Sequence, residues 1–246
     1  ISRNLIFTFT FLILIFLIIF FRETCWLIEG SFKSSEFEYY RIGKSKSFLE
    51  NLFFIYPGTG ALMFWSNITN STISLFSYDK AKILSNYFTV FVYLFICIYI
   101  YSAKSSLLTL KKYKIFAIFL VLLSPPMTPE VWMSSAHLRG YFGILSFFLL
   151  FHDFEGKKRN TNFLIYFLIF FSGICSIYAT ALTPAYLYKF YLERKKENFY
   201  SFIYSFLAFL IQLWVIINYT FKNFSTSNRF HLELESFYNY FYNVIV

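Results

Sequence analysis

Charge is scarce in this chain. Asp, Glu, Lys and Arg make up 14% of its 246 residues, against roughly a quarter in an ordinary soluble domain. So few charges cannot coat a water-facing globule of this length, and that excludes a soluble one- or two-domain protein. Cysteine is scarce as well. Cys25, Cys97 and Cys175 lie far apart, two of them inside apolar runs. With no CxxC and no Cys/His ligand spacing, neither a zinc site nor a disulfide framework has support. The sequence also lacks a Walker loop, GxGxxG, HExxH and GxSxG, so the common phosphate-cradling, zinc-protease and serine-hydrolase elements are missing. No internal repeat of fixed period is visible.

What is abundant is apolar. Hydrophobic residues make up 58% of the chain, with 37 Phe and 21 Tyr. Phe, Tyr, Ile, Lys and Asn all have AT-rich codons, so a low-GC genome produces this profile. The aromatics therefore read as lipid-facing filler rather than a base-stacking surface or a carbohydrate cage. The net charge of +9 would suit nucleic acid or a membrane, and its distribution selects the membrane. No nucleic-acid partner is expected.

The apolar runs predict an all-α fold, a polytopic transmembrane helix bundle in one domain, 1–246. Predicted spans are 4–21, 83–103, 115–132, 138–152, 162–180, 183–193 and 199–219. The run from Asn4 to Phe21 carries no charge, and no small-residue cleavage site follows it, so it reads as a retained helix rather than a signal peptide. A long outer loop, 22–82, holds Glu23, Glu29, Glu36, Glu38, Glu50 and Asp79. Its second half, Phe48 to Phe76, is apolar but interrupted, which predicts short helices hugging the membrane or a re-entrant pair. The start at Ile1 and the apolar end at Val246 give the expectation of a piece cut from a longer protein.

Lys and Arg in short loops set the orientation. With the amino terminus inside, the dense clusters Lys104–Lys114, Lys157-Lys158-Arg159 and Arg194-Lys195-Lys196 all face the cytoplasm. The acids of the long loop then face outward.

Charged groups at membrane borders are the candidates for chemistry, because they are expensive there. The first set runs from Glu29 through Glu36 to Glu38. A carboxylate here can deprotonate an acceptor hydroxyl, or hold a divalent cation near a phosphate; against this stands a plain solvated loop. The second set is Glu130, His137 and Arg139, in a hairpin between two short spans. The planar fork of Arg suits a phosphate, and His can shuttle a proton; against this stands interfacial anchoring beside Trp132. His152, beside Asp153 and Glu155, reads as a solvated helix terminus rather than a metal ligand. The glycosylation patterns at Asn67, Asn70, Asn218 and Asn223 read as accidental.

Taken in order, these elements resemble the bacterial glycosyltransferase C superfamily, multi-pass enzymes that use a polyprenyl-phosphate sugar. Gly30-Ser31-Phe32-Lys33-Ser34-Ser35-Glu36-Phe37 stands where one branch has an acidic element, often W-A-E-E/D-G. Tyr56-Pro57-Gly58-Thr59-Gly60, followed by Asn67-Ile68, matches its Pro/Tyr/Gly stretch. Ser124-Pro125-Pro126-Met127-Thr128-Pro129-Glu130-Val131-Trp132 resembles the start of its hairpin, P-x-x-x-E-V. Two departures stand out. The paired acid is reduced to Glu36, and the family's Asn-x-Gln-Trp is replaced by Ala136-His137-Leu138-Arg139-Gly140-Tyr141. The resemblance implies an inner-membrane transferase acting at the outer face. Glu36, or less favourably Glu38, would be the catalytic base. Arg139 and His137 would hold the lipid phosphate, with Glu130 a reserve carboxylate. Its partners would be the bilayer, a polyprenyl-phosphate sugar, and a glycan or lipid acceptor. The other class consistent with the residues is a transporter, flippase or polysaccharide polymerase, with broken helices at Pro125-Pro126 and Pro184. A membrane subunit without chemistry is the third.

Overall fold

The computed structural model describes residues 13–18, 20–21, 28–32, 36–56, 60–123, 134–154 and 159–223. Among them the chain is all-helical, without a strand. Its helices are α1 (Glu36–Lys44), α2 (Phe48–Leu52), α3 (Phe64–Ile73), α4 (Tyr78–Ser102), α5 (Lys111–Leu123), α6 (Arg139–Leu150), α7 (Arg159–Cys175), α8 (Ile177–Thr180), α9 (Thr183–Glu193) and α10 (Lys196–Asn223), with a 3₁₀ turn at Ser135–His137. Residues 13–18 and 20–21 are helical too.

Among the described residues two helices, Tyr78–Ser102 and Lys196–Tyr219 within α10, are long and apolar enough to cross a membrane. They differ in setting. About half of the α4 apolar window is buried, but only 28% of that of α10. A soluble protein's core helix would be covered. Instead α10 turns Leu207, Leu210, Leu213 and Trp214 outward, and α5 and α7 do the same with Phe116, Leu120, Phe163 and Leu164.

Local sequence explains several helix limits. α1 opens on Glu36 and Glu38 and closes on Arg41 and Lys44, complementing its dipole. Ser47 and Glu50 form a reciprocal capping box at the start of α2. Pro184 lies in the first turn of α9, where its missing N–H is no loss, and Arg194 ends that helix at φ 53°. The predicted span 162–180 is interrupted. α7 stops at Cys175, and the Ser176 hydroxyl accepts from the N–H groups of Tyr178 and Ala179, restarting the chain as α8. α4 begins at Tyr78, so the last residues assigned to the outer loop belong to this helix.

The bundle closes on α7 against α10, flanked by α9 on α10 and by α6 on α7 and α8. α3 does not lie on the surface. Trp65 sits on Phe88 and Phe91 of α4, Phe142 of α6 and Phe171 of α7. Of the stretch expected as an outer loop, α3 therefore packs into the bundle. Asn67 and Asn70 are fully buried within it, out of reach of any glycan.

Polar groups collect at the two ends of the bundle. At one end Ser105 bridges His152, Lys189 Nζ donates to the Leu150 carbonyl at 2.6 Å, and Lys114 Nζ reaches the Tyr101 and Ala103 carbonyls. These lysines satisfy the open carbonyls that end α6 and α4. His152 corrects its reading as a solvated terminus. It is 3% exposed, with Nδ1 2.9 Å from the Tyr99 hydroxyl, because the chain after α6 folds back onto the end of α4. At the other end lie Glu36, Ser135, Arg139 and Ser176. Measured along α4 from Ser85 to Tyr99, at 1.5 Å per residue, the two polar layers stand about 21 Å apart. Val90, Tyr93, Ile96 and Cys97 fill the stretch between them.

Candidate functional site

Glu36 is the centre of the second polar layer. It opens α1 and is 1% exposed. Oε1 accepts from the Ser135 backbone N–H at 2.6 Å, from Ser135 Oγ at 2.6 Å and from Ser85 Oγ at 3.3 Å. Ser85 Oγ also lies 3.2 Å from Ser135 Oγ. The Ser135 carbonyl in turn accepts from Ser66 Oγ at 2.6 Å. One short turn is therefore gripped by α1, by α3 and by α4. A buried carboxylate is tolerable only when hydrogen-bonded, and here two serines and a backbone amide meet that need.

Two residues beyond Ser135, the ring of His137 lies 3.3 Å (Nδ1) from Ser134 Oγ. Arg139 begins α6. Its carbonyl accepts from Ser176 Oγ at 2.5 Å, and its guanidinium rests 5.9 Å from the Tyr178 ring centroid. Ser176 thus ties the break between α7 and α8 to the same turn. The sequence-predicted Glu36, His137 and Arg139 share one end of the bundle, joined through Ser135. Glu38 is exposed. Glu130, Trp132 and the two prolines at 125 and 126 lie outside the described residues, as does the Pro57–Thr59 stretch.

The sequence reading missed Ser85, Ser135, Ser66 and Gln212. A signal for the first existed: Ser85, Asn86 and Thr89 interrupt an otherwise apolar span, all of them buried. Gln212 is a second polar group inside a spanning-length helix, 1% exposed. Its Oε1 accepts from Leu62 N–H at 3.0 Å. Its Nε2 donates to Leu62 O at 2.8 Å, to Gly173 O at 3.1 Å and to Ile174 O at 3.2 Å. It satisfies both Leu62 and the carbonyls at the end of α7.

A divalent cation does not fit this arrangement. A hard cation needs several oxygen acceptors, whereas Glu36 is met by N–H and O–H donors. Among the described residues no three His, Cys, Asp or Glu side chains converge. Cys97 and Cys175 are buried free thiols.

No family model, curated protein or solved structure matches the chain.

Proposed function

We propose that the chain is a polytopic integral membrane protein, amino terminus inside, that transfers a sugar from a polyprenyl phosphate at the outer face. One observation carries this reading. Glu36 and the hairpin of His137 and Arg139 come together through a hydrogen bond spanning 99 residues. A base and a phosphate-binding cation are the two groups such a transfer needs. The exposed apolar flank of α10 and the separation of polar layers along α4 support the membrane setting.

Ser135 Oγ, 2.6 Å from Glu36 Oε1, stands where an acceptor hydroxyl would stand, within the roughly 2.6–3.2 Å that proton transfer requires. The acceptor displaces Ser135, and its proton passes to Glu36. Its oxygen bonds to the anomeric carbon with inversion. The bond from that carbon to the phosphate oxygen breaks, and its electron pair leaves with the phosphate. Arg139 neutralises that developing charge, aided by His137. Because Glu36 is sealed in this arrangement, α1 or the hairpin moves aside to admit substrate.

A second reading is favoured by Ser85, Asn86 and Thr89 inside α4 and by the helix break at Ser176: a path for a lipid-linked substrate across the membrane. Reconstituted protein separates the two. Release of labelled sugar from a polyprenyl-phosphate hexose, abolished by Glu36→Gln, supports transfer. Movement of fluorescent polyprenyl phosphate between leaflets without sugar release supports transport and rejects Glu36 as the base.

A further inference from the structure

At the end of the bundle opposite Glu36, α7 and α10 leave a cavity of 540 Å³. Small-molecule sites typically measure roughly 300–1,000 Å³. It is lined by Asn162, Phe163 and Tyr166 from the first turns of α7, and by Lys196, Glu197, Tyr200 and Tyr204 from those of α10. None of these takes part in the Glu36 cluster.

The lining holds two opposite charges on adjacent residues beside three phenol rings. Tyr166 and Tyr204 stack at 5.6 Å with 10° between planes, and Tyr200 tilts against Tyr166 at 5.7 Å. Asn162 Oδ1 is buried and has no hydrogen-bond donor among the described residues. A buried acceptor of this kind is costly while it stays unmatched. Glu193, the other nearby acid, is already engaged by Asn198 Nδ2 at 3.0 Å and by Lys195 at 3.9 Å.

We infer that this cavity binds the head of an aminophospholipid, in a reading that rests on the membrane setting proposed above. The chemistry matches group by group. A primary ammonium is a cation with N–H donors: it suits the Glu197 carboxylate, the faces of the tyrosines and the unmatched Asn162 oxygen. The adjacent phosphate suits Lys196 and the open N–H groups of the first turn of α10. A choline head has no N–H to give Asn162. A glycerol head has no cation to give Glu197. The rim explains why the ligand is a lipid: Phe163 is 62% exposed, and Leu164, Phe167, Leu207 and Leu210 extend the apolar surface along both helices. Acyl chains attached to a seated head would lie on that surface.

The full chain, purified in detergent, is tested by native mass spectrometry with phosphatidylethanolamine, phosphatidylcholine and phosphatidylglycerol of identical acyl chains. Wild type retains the ethanolamine lipid about tenfold over the other two, the effect of one charge-assisted hydrogen bond. Glu197→Gln and Asn162→Ala each remove that preference. Lys196→Gln weakens the ethanolamine and glycerol lipids alike. Excess soluble phosphoethanolamine fails to displace the lipid, because it lacks chains for the apolar rim; displacement would identify a soluble ligand and overturn the proposal. Equal retention of the three lipids by wild type overturns it too, as does an unchanged preference in both Glu197→Gln and Asn162→Ala. Flotation with vesicles separates the two failures. A chain that floats but shows no head-group preference loses only this site, whereas a chain that stays soluble without detergent loses the membrane reading as well.

Discussion

The backbone N–H of Ser135 donates to Oε1 of Glu36 at 2.6 Å, joining α1 to a turn 99 residues later. The same oxygen accepts from the Ser135 hydroxyl, so one carboxylate holds both groups of one residue. Glu36→Ala leaves the buried Ser135 amide unpaired, which should lower stability by about 1–3 kcal/mol. Glu36→Gln keeps an acceptor for the amide and should lower it by less. Thermal unfolding in detergent measures the difference. Under the transfer reading both variants lose sugar release. A Glu36→Ala variant as stable as wild type would show that the hydrogen bonds are not formed in solution.

Gly173 and Ala208 set how closely α7 approaches α10. A Cβ at Gly173 would come 2.4 Å from the Cβ of Ala208, a distance two carbons cannot hold. Ala208 is fully buried on a helix, so the backbones must part. Gly173→Ala should destabilise the protein by about 1–3 kcal/mol, as overpacking usually does. Adding Ala208→Gly should recover most of the loss. Unfolding of the two single variants and the double variant forms the cycle that tests this coupling; additive losses would place the contact elsewhere.

Gln212→Leu strands the Leu62 amide and carbonyl and the Ile174 carbonyl in an apolar setting, and leaves the Gly173 carbonyl only the Ser176 N–H at 3.3 Å. The segment leading into α3 should then detach. Limited proteolysis should cut between residues 53 and 63 faster than in wild type, and hydrogen exchange of the Leu62 amide should rise by about tenfold or more. Unchanged exchange would mean that Leu62 is held by other contacts.

Glu50 supplies a pH test. Hydrogen bonds from the backbone N–H and side-chain hydroxyl of Ser47 hold its carboxyl below the usual value, with Lys46 assisting. A depressed folded-state pKa adds stability that is fully present above the unfolded value, about 4.3, and lost as the pH falls through the lower folded value. Hydrogen exchange across α2 should therefore accelerate below about pH 4. Glu50→Gln should flatten that dependence. A profile identical in wild type and Glu50→Gln would assign the effect to another carboxylate.

Topology has its own measurement. Single cysteines at Lys112 and Arg194, at the end of the bundle with His152, should resist an impermeant thiol reagent applied outside intact cells. One at Ser45 should react. Labelling at Lys112 but not at Ser45 would invert the orientation.

Composition and hydropathy by themselves determined that the chain is helical and apolar on its outside, since so few charges leave no other way to cover the surface. They also located α4, α10, α6 and α9 to within a few residues, because each is a continuous apolar run bounded by charge or Pro. Glu36, His137 and Arg139 stood out as costly groups at the ends of such runs and were expected at one site. The contacts that hold Glu36 against the turn before His137 were not legible. They depend on Ser135, Ser85 and Ser66, whose small hydroxyls carry no periodic signal and gain importance only when helices far apart in sequence are packed. The same holds for Gln212, Ser176 and the Gly173–Ala208 contact. Each acts by satisfying a backbone group or clearing space on a different element, and that need exists only once the helices are side by side. His152 is the clearest instance: its neighbours Asp153 and Glu155 suggested water, and only the fold-back of the chain onto Tyr99 buried it.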